Sequence, residues 1–151
     1  MTVSYRWQVC QFELWLPIAQ LDVSALGLYD DARFPGRCLL VLDEHFEDLR
    51  EVPPDLASAF MYDTQRAASA IANVVVPDRL NYAILGNVAP HIHMHIIPRT
   101  RRSDPNFGRP PWERSDKPVP LNIQEKNSLI LALTEALSGT AATASGTRPR
   151  R

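Results

Sequence analysis

Positions 91 to 97 read His91-Ile92-His93-Met94-His95-Ile96-Ile97, and they hold three of the chain's four histidines. In an extended strand successive side chains point to opposite faces, so the three imidazoles share one face. Ile92, Met94 and Ile96 then share the other, where they can anchor a core. On a helix the same spacing would scatter the rings around the cylinder. The β-branched residues of Ile92 to Ile97 favour a strand, and Pro98 marks its expected end. A row of imidazoles at neutral pH can attack, donate protons or bind metal.

Upstream of this strand, Gly86-Asn87-Val88-Ala89-Pro90 reads as a loop, and Leu80 to Leu85 as a strand feeding it. Cys38 to Leu42 is an unbroken apolar run, consistent with a strand buried on both faces. Ser24 to Tyr29 predicts another strand, followed by the turn-like Asp30-Asp31-Ala32-Arg33 and then Pro35-Gly36. Val9 to Leu16 predicts an extended segment ended by Pro17. Between these strands, Pro53-Pro54-Asp55 suits a helix start, with proline in the first turn and an acidic side chain facing the positive end of the dipole. Leu56, Phe60, Thr64, Ala68, Ile71 and Val75 keep helical spacing, which predicts a helix from about Pro54 to Asn73.

Downstream, residues 100 to 120 are rich in Pro, Arg and Asp, with Phe107 and Trp112 among them. Irregular stretches of that length in compact domains are often functional. Asn122 and Glu125 have capping-box spacing, and Ile123, Ile130, Leu133 and Leu137 give the following helix an apolar face. Residues 138–151 are small, polar and finally basic, so a disordered tail is expected after a single domain spanning 1–137. Strands, a helix, two more strands and a helix predict an α+β fold. Its sheet is antiparallel with about five strands, and it carries two main helices.

The chain has 151 residues, 45% hydrophobic and 22% charged, which suits one globular domain with a real core. Its net charge of −1 offers no basic field for nucleic acid, so none is expected as a partner. Cys10 and Cys38 are too far apart for a Cys-x-x-Cys pair, which predicts free thiols in a reducing compartment. Gln8, Gln11 and Glu13 interrupt the apolar character a signal peptide needs. No segment approaches the roughly 20 apolar residues of a membrane span. A cytoplasmic protein without a membrane partner is expected.

The histidine row has three readings. In the first, one imidazole attacks phosphorus through one nitrogen while a fixed acceptor holds the proton on the other. Its neighbours hydrogen-bond the phosphoryl oxygens and assist the leaving group. In the second, three histidines hold a zinc ion and leave one position for water. Same-face neighbours on a strand lie about 6–7 Å apart, so closing all three on one ion would strain a straight strand. In the third, the histidines have no chemical role, which three of four falling in register argues against.

The pattern His-φ-His-φ-His-φ-φ of residues 91–97, with φ apolar, resembles the motif that names the histidine-triad (HIT) superfamily. Residues 81–90 before it and Pro98-Arg99 after it are similar to a bacterial branch, as is the run from Asp31 to Leu42 with His45. The resemblance covers about residues 24 to 100. It implies a nucleotide hydrolase or transferase acting on the α-phosphate of dinucleoside polyphosphates or nucleoside phosphoramidates, and releasing a mononucleotide such as AMP. His93 would carry the nucleotide covalently, His95 would assist the leaving group, and His91 would order the site through its backbone carbonyl. The resemblance further implies a homodimer with a small-molecule nucleotide substrate and no obligatory metal or other cofactor. Phosphorolysis in place of hydrolysis stays open.

At the position where many members carry a further histidine, this chain has Arg37. Arginine cannot act as a base at neutral pH, but it can pair with phosphate. That departure keeps a nucleotide-binding or sensing module with little turnover as an alternative, beside a metal-dependent hydrolase. Asp31, and less so Asp30, matches the place the family uses for ribose hydroxyls, although an Asp pair also forms turns. Asn87 can donate to a phosphate oxygen and Arg99 can neutralise a polyphosphate; each also has a plain role in a turn or on the surface. Trp112 can cover a pocket or simply pack its loop.

Overall fold

The computed structural model describes residues 15–143. Among the described residues five strands form one antiparallel sheet: β1 (Trp15–Gln20), β2 (Ser24–Tyr29), β3 (Cys38–Leu42), β4 (Arg79–Ala83) and β5 (His93–Arg99). Their order across the sheet is β1-β2-β3-β5-β4, so the histidine strand lies inside it, between β3 and β4. The helices α1 (Pro54–Val75) and α2 (Ile123–Thr143) complete an α+β domain. The expected fold class is the observed one.

Alternation along the strands sorts the two faces of the sheet. Leu26, Leu28, Leu40, Leu42, Met94 and Ile96 join Phe60 and Ile71 of α1 and Leu133 and Leu137 of α2 in one buried cluster. The other face carries His93, His95, Ile97 and Arg99 on β5. Val41 and Leu39 stand opposite His93 and His95 on β3. Buried apolar residues behind the strand and polar residues in front of it fix the register, because a slip of one residue would reverse both faces.

Proline sits inside two of the strands, where the sequence reading ended them. Pro17 lies within β1, an edge strand whose pairing with β2 shifts register between Pro17 and Ala19. Both an edge and a bulge tolerate a residue without an N–H. Pro98 lies within β5, which continues to Arg99 beyond its last pairing with β3 at Ile96 and is flanked there by β4 alone. The part of the first predicted strand before Trp15 lies outside the described residues, as does Cys10. Cys38 is a buried free thiol.

The helix termini follow their sequence signals. Asn122 Oδ1 accepts the Glu125 N–H at 2.9 Å, and Glu125 Oε2 accepts the Asn122 N–H at 3.2 Å. That reciprocal pair is a capping box. Asp30 adds to this start, accepting the Leu121 N–H at 2.8 Å and pairing with Lys126 at 2.6 Å. At its other end α2 runs to Thr143, past the boundary at Leu137, because Ala141 and Ala142 are good helix formers despite their small size. Residues 144–151 of the expected tail lie outside the described residues. Among the described residues no helix is long and apolar enough to cross a membrane.

One buried carboxylate joins helix to hairpin. Asp63 of α1 accepts the Val23 N–H at 2.9 Å, the Ser24 hydroxyl at 2.7 Å and the Asp22 N–H at 3.3 Å. This satisfies the β1–β2 turn from below and ties the sheet to α1.

Candidate active site

Two histidines come from β5 itself and one from the residue pair that leads into it. His91 lies in a bend, since Ile92 donates its N–H to Phe46 O and accepts from Leu42 N outside any strand pairing. The spacing nevertheless brings the triad together. The rings of His93 and His95 are 5.0 Å apart between centroids and nearly perpendicular. All three side chains are buried.

The hydrogen bonds assign a tautomer to each ring. His93 Nδ1 is 2.7 Å from the His91 carbonyl oxygen, which can only accept. The proton therefore resides on Nδ1 and the lone pair on Nε2. His91 Nε2 donates to the Leu42 carbonyl at 2.6 Å, so its Nδ1 accepts from His45 Nδ1 at 3.0 Å. His45 thus orients His91, and His91 orients His93 through its main chain. His95 Nδ1 lies 3.2 Å from Arg37 Nη2. A guanidinium has donors only, so the lone pair of His95 is on Nδ1 and its proton on Nε2.

Burial disfavours the charged form of all three rings. It lowers the pKa of His91, against a partial rise from the Leu42 carbonyl. It lowers that of His93 likewise, against the His91 carbonyl. His95 is pushed down furthest, to about 3, by burial first, then by the Arg37 charge and by His93. At neutral pH the triad is therefore uncharged. Among the described residues no group of three or more His, Cys, Asp or Glu is placed to hold a metal ion. The rings are committed to different backbone and side-chain partners instead.

Next to His95 opens a cavity of about 240 Å³, lined on the sheet side by Tyr29, Arg37, Ala83 and Ile97. Arg33, Trp112 and Arg114 border it as well. Arg37 lies over the Tyr29 ring, 3.9 Å from its centroid, a cation–π contact in a desolvated setting. Gly36, at φ +86°, makes the turn that delivers Arg37 to this point; a Cβ there would come within 2.4 Å of Val75. None of Tyr29, Arg33 or Arg114 stands out in the sequence as a site residue, because their roles depend on the strand register and on a loop 81 residues away, whereas the family resemblance marks His45.

The other predicted residues are placed as follows. Asp31 is fully buried, and its carboxylate accepts from Arg33 Nε at 2.9 Å and Nη2 at 2.7 Å, with Arg37 Nη1 at 3.5 Å. It orients the cations beside the cavity. Asp30 serves α2, as described. Asn87 is exposed on the β4–β5 loop and does not line the cavity.

Arg99 departs most from its expected role on a polyphosphate. It is 1% exposed and pairs with Asp104, while also donating to Asn81 Oδ1 at 2.7 Å, Asn106 O at 2.8 Å and Arg109 O at 3.0 Å. Three of these four hydrogen bonds hold the 100–109 loop and the fourth reaches Asn81 on β4, so the side chain faces the interior. The seat of the next loop segment is Pro111, which is buried, whereas Trp112 is 60% exposed at the cavity rim.

These features match known proteins in both sequence and shape. The family model described as the HIT domain matches residues 18–102, more than half of the chain. No curated protein matches it. A histidine triad protein from Bradyrhizobium japonicum is similar in structure, with TM-score 0.76, 28% identity and coverage of 83% of this chain and 92% of its own. One from Sinorhizobium meliloti has TM-score 0.74, 24% identity and coverage of 82% and 90%. A zinc-bound histidine triad family protein from Mycobacterium smegmatis has TM-score 0.60, 22% identity and coverage of 85% and 87%. With the triad on and just before β5, the matching family model and this common fold, the chain belongs to the HIT-domain family.

Proposed function

We propose that the chain is a nucleotide hydrolase or transferase that acts at the α-phosphate through a nucleotidyl-histidine intermediate on His93. The carrying observation is the 2.7 Å contact between His93 Nδ1 and the His91 carbonyl. An imidazole is a nucleophile only through a nitrogen with a lone pair, and a fixed acceptor on the opposite nitrogen keeps that lone pair on Nε2. As the P–N bond forms, positive charge spreads to Nδ1–H and strengthens its bond to the carbonyl. That interaction is worth more in the transition state than before it, which is the requirement for catalysis.

His95 Nε2–H, one position along the same face, is the donor for an oxygen of the reacting phosphate or of the departing group. The bond from phosphorus to the leaving group breaks, P–O in a polyphosphate and P–N in a phosphoramidate, and water then attacks phosphorus and releases the mononucleotide while His93 regains its lone pair. Substrates fitting this scheme are dinucleoside polyphosphates such as diadenosine polyphosphates, and nucleoside phosphoramidates. We extend the proposal to a homodimer, as the family resemblance implies, and to a cytoplasmic location, as the sequence composition suggests; sedimentation at monomer mass would count against the dimer.

The test is rapid quenching of diadenosine tetraphosphate turnover with mass analysis of the intact chain. One adenylyl group per chain is expected transiently, located on His93. In His93→Ala the adduct is absent and kcat/KM falls at least about a thousandfold. Turnover by His93→Ala at the wild-type rate would remove the proposal. Tight AMP binding with no product over hours would instead identify a binding module.

A further inference from the structure

Arg37 decides what His95 can do for a leaving group. Its Nη2 faces His95 Nδ1 at 3.2 Å, so the His95 proton stays on Nε2. A second proton would have to enter at Nδ1, directly against a permanent cation. Arg37 is held there firmly: the Tyr29 ring lies beneath it, and the Gly36 turn fixes its backbone. It is also poorly neutralised. Asp31 sits 3.5 Å from Arg37 but 2.7 Å from Arg33, and is drawn to the latter. Arg37 Nε is buried and makes no hydrogen bond among the described residues. On one nitrogen His95 therefore meets a positive charge that Asp31, at 3.5 Å from Arg37, balances only in part, and on the other it meets the site.

A neutral imidazole in that state can give a hydrogen bond, but passing its only proton would leave an imidazolate. Resting on the nucleotidyl-histidine reading above, we propose that Arg37 is a specificity-determining residue. It restricts the site to leaving groups that depart as oxyanions, above all the polyphosphate of a nucleotide, and selects against nucleoside phosphoramidates.

The electron balance separates the two substrate classes. With a polyphosphate, His93 Nε2 supplies its lone pair to the α-phosphorus and the bridging P–O bond breaks. Its electron pair leaves on a phosphate oxygen that is stable as an anion at neutral pH. His95 hydrogen-bonds that oxygen and keeps its proton, and Arg37 stabilises the new charge. With a phosphoramidate, the P–N bond must break toward an amine, which departs only after nitrogen has received a proton. His95 could give its Nε2 proton only by becoming an imidazolate. Water then displaces His93 from phosphorus in either case and loses its extra proton to solvent.

The experiment compares kcat/KM of the full chain for diadenosine tetraphosphate and for AMP joined to a primary alkylamine. The wild type is expected to favour the polyphosphate by at least about 100-fold, the lower range of a missing general acid. Arg37→His removes the fixed cation, and the ratio is expected to narrow at least about tenfold through a gain on the phosphoramidate. Arg37→Met is the second variant, with a smaller gain. A merely structural role would lower both substrates together and leave the ratio unchanged, which overturns the proposal. So does a wild-type ratio near one, a measurement that needs no variant. Adduct formation from the p-nitrophenyl ester of AMP separates the two levels of inference. An adduct on His93 with a ratio near one sinks the selectivity alone, whereas no adduct from any substrate sinks the nucleotidyl-histidine reading and the selectivity with it.

Discussion

A histidine that attacks phosphorus must be neutral, and its reactive nitrogen must be chosen for it. Burial holds the His93 pKa below the ordinary 6.5, and the His91 carbonyl only partly restores it. The neutral form is the reactive one, so lowering the pKa widens the active range toward acid. Single-turnover rates are therefore expected to be level from pH 8 down to about pH 7.5. Below that they fall as His93 takes up a proton, with a midpoint under 6.5. His95, at about 3, contributes no limb in that range. A rate midpoint above 6.5 would show that the reacting imidazole is not this buried one. The triad itself was legible, because a period of two on a strand is a geometric fact of the sequence. Arg37 was legible as a departure from the family pattern, but its contact with His95 was not, since it joins residues 58 positions apart. Asp31 is legible as a turn-forming or ribose-binding carboxylate, whereas its contacts with Arg33 and Arg37 could not be assigned from composition.

At the scale of elements, the 100–120 segment shows how an irregular stretch is held. It has no ladder of its own beyond one short 3₁₀ turn at Pro111–Glu113, so side chains must order it. Arg99 does so from the end of β5, with Asp104 and three other acceptors gathered around one guanidinium. Arg99→Met would leave Asp104 buried without its cation, which costs about 3–5 kcal/mol. Urea denaturation is expected to show that loss. Arg99→Lys should recover little of it, because an ammonium cannot reach four acceptors in a plane. Stability unchanged in Arg99→Met would mean that the network does not order the loop. The strands and both helices could be read from periodicity and caps, as the capping box of Asn122 and Glu125 shows. Both prolines misplaced strand ends, since whether a missing N–H matters depends on which neighbour strand stands beside it.

For the whole molecule, the same burial that keeps the triad neutral couples folding to pH. The unfolded chain binds protons at His91, His93 and His95 near pH 6.5, while the folded chain resists them to lower pH. Between those limits the unfolded state carries more protons, so the stability of the fold rises with pH there and falls as the solution becomes acidic. The contribution is fully present above about pH 6.5 and is lost progressively toward the folded pKa values. His95 alone, with a pKa of about 3 when folded, accounts for about 2 kcal/mol of lost stability by pH 5. Thermal melts at pH 7.5 and pH 5 are expected to differ in that direction. The difference should shrink in His95→Gln, which removes the largest of the three shifts. An equal acid loss in that variant would place the proton uptake elsewhere. It would also argue that the imidazole beside Arg37 is less deeply committed to its neutral form than the 3.2 Å contact requires.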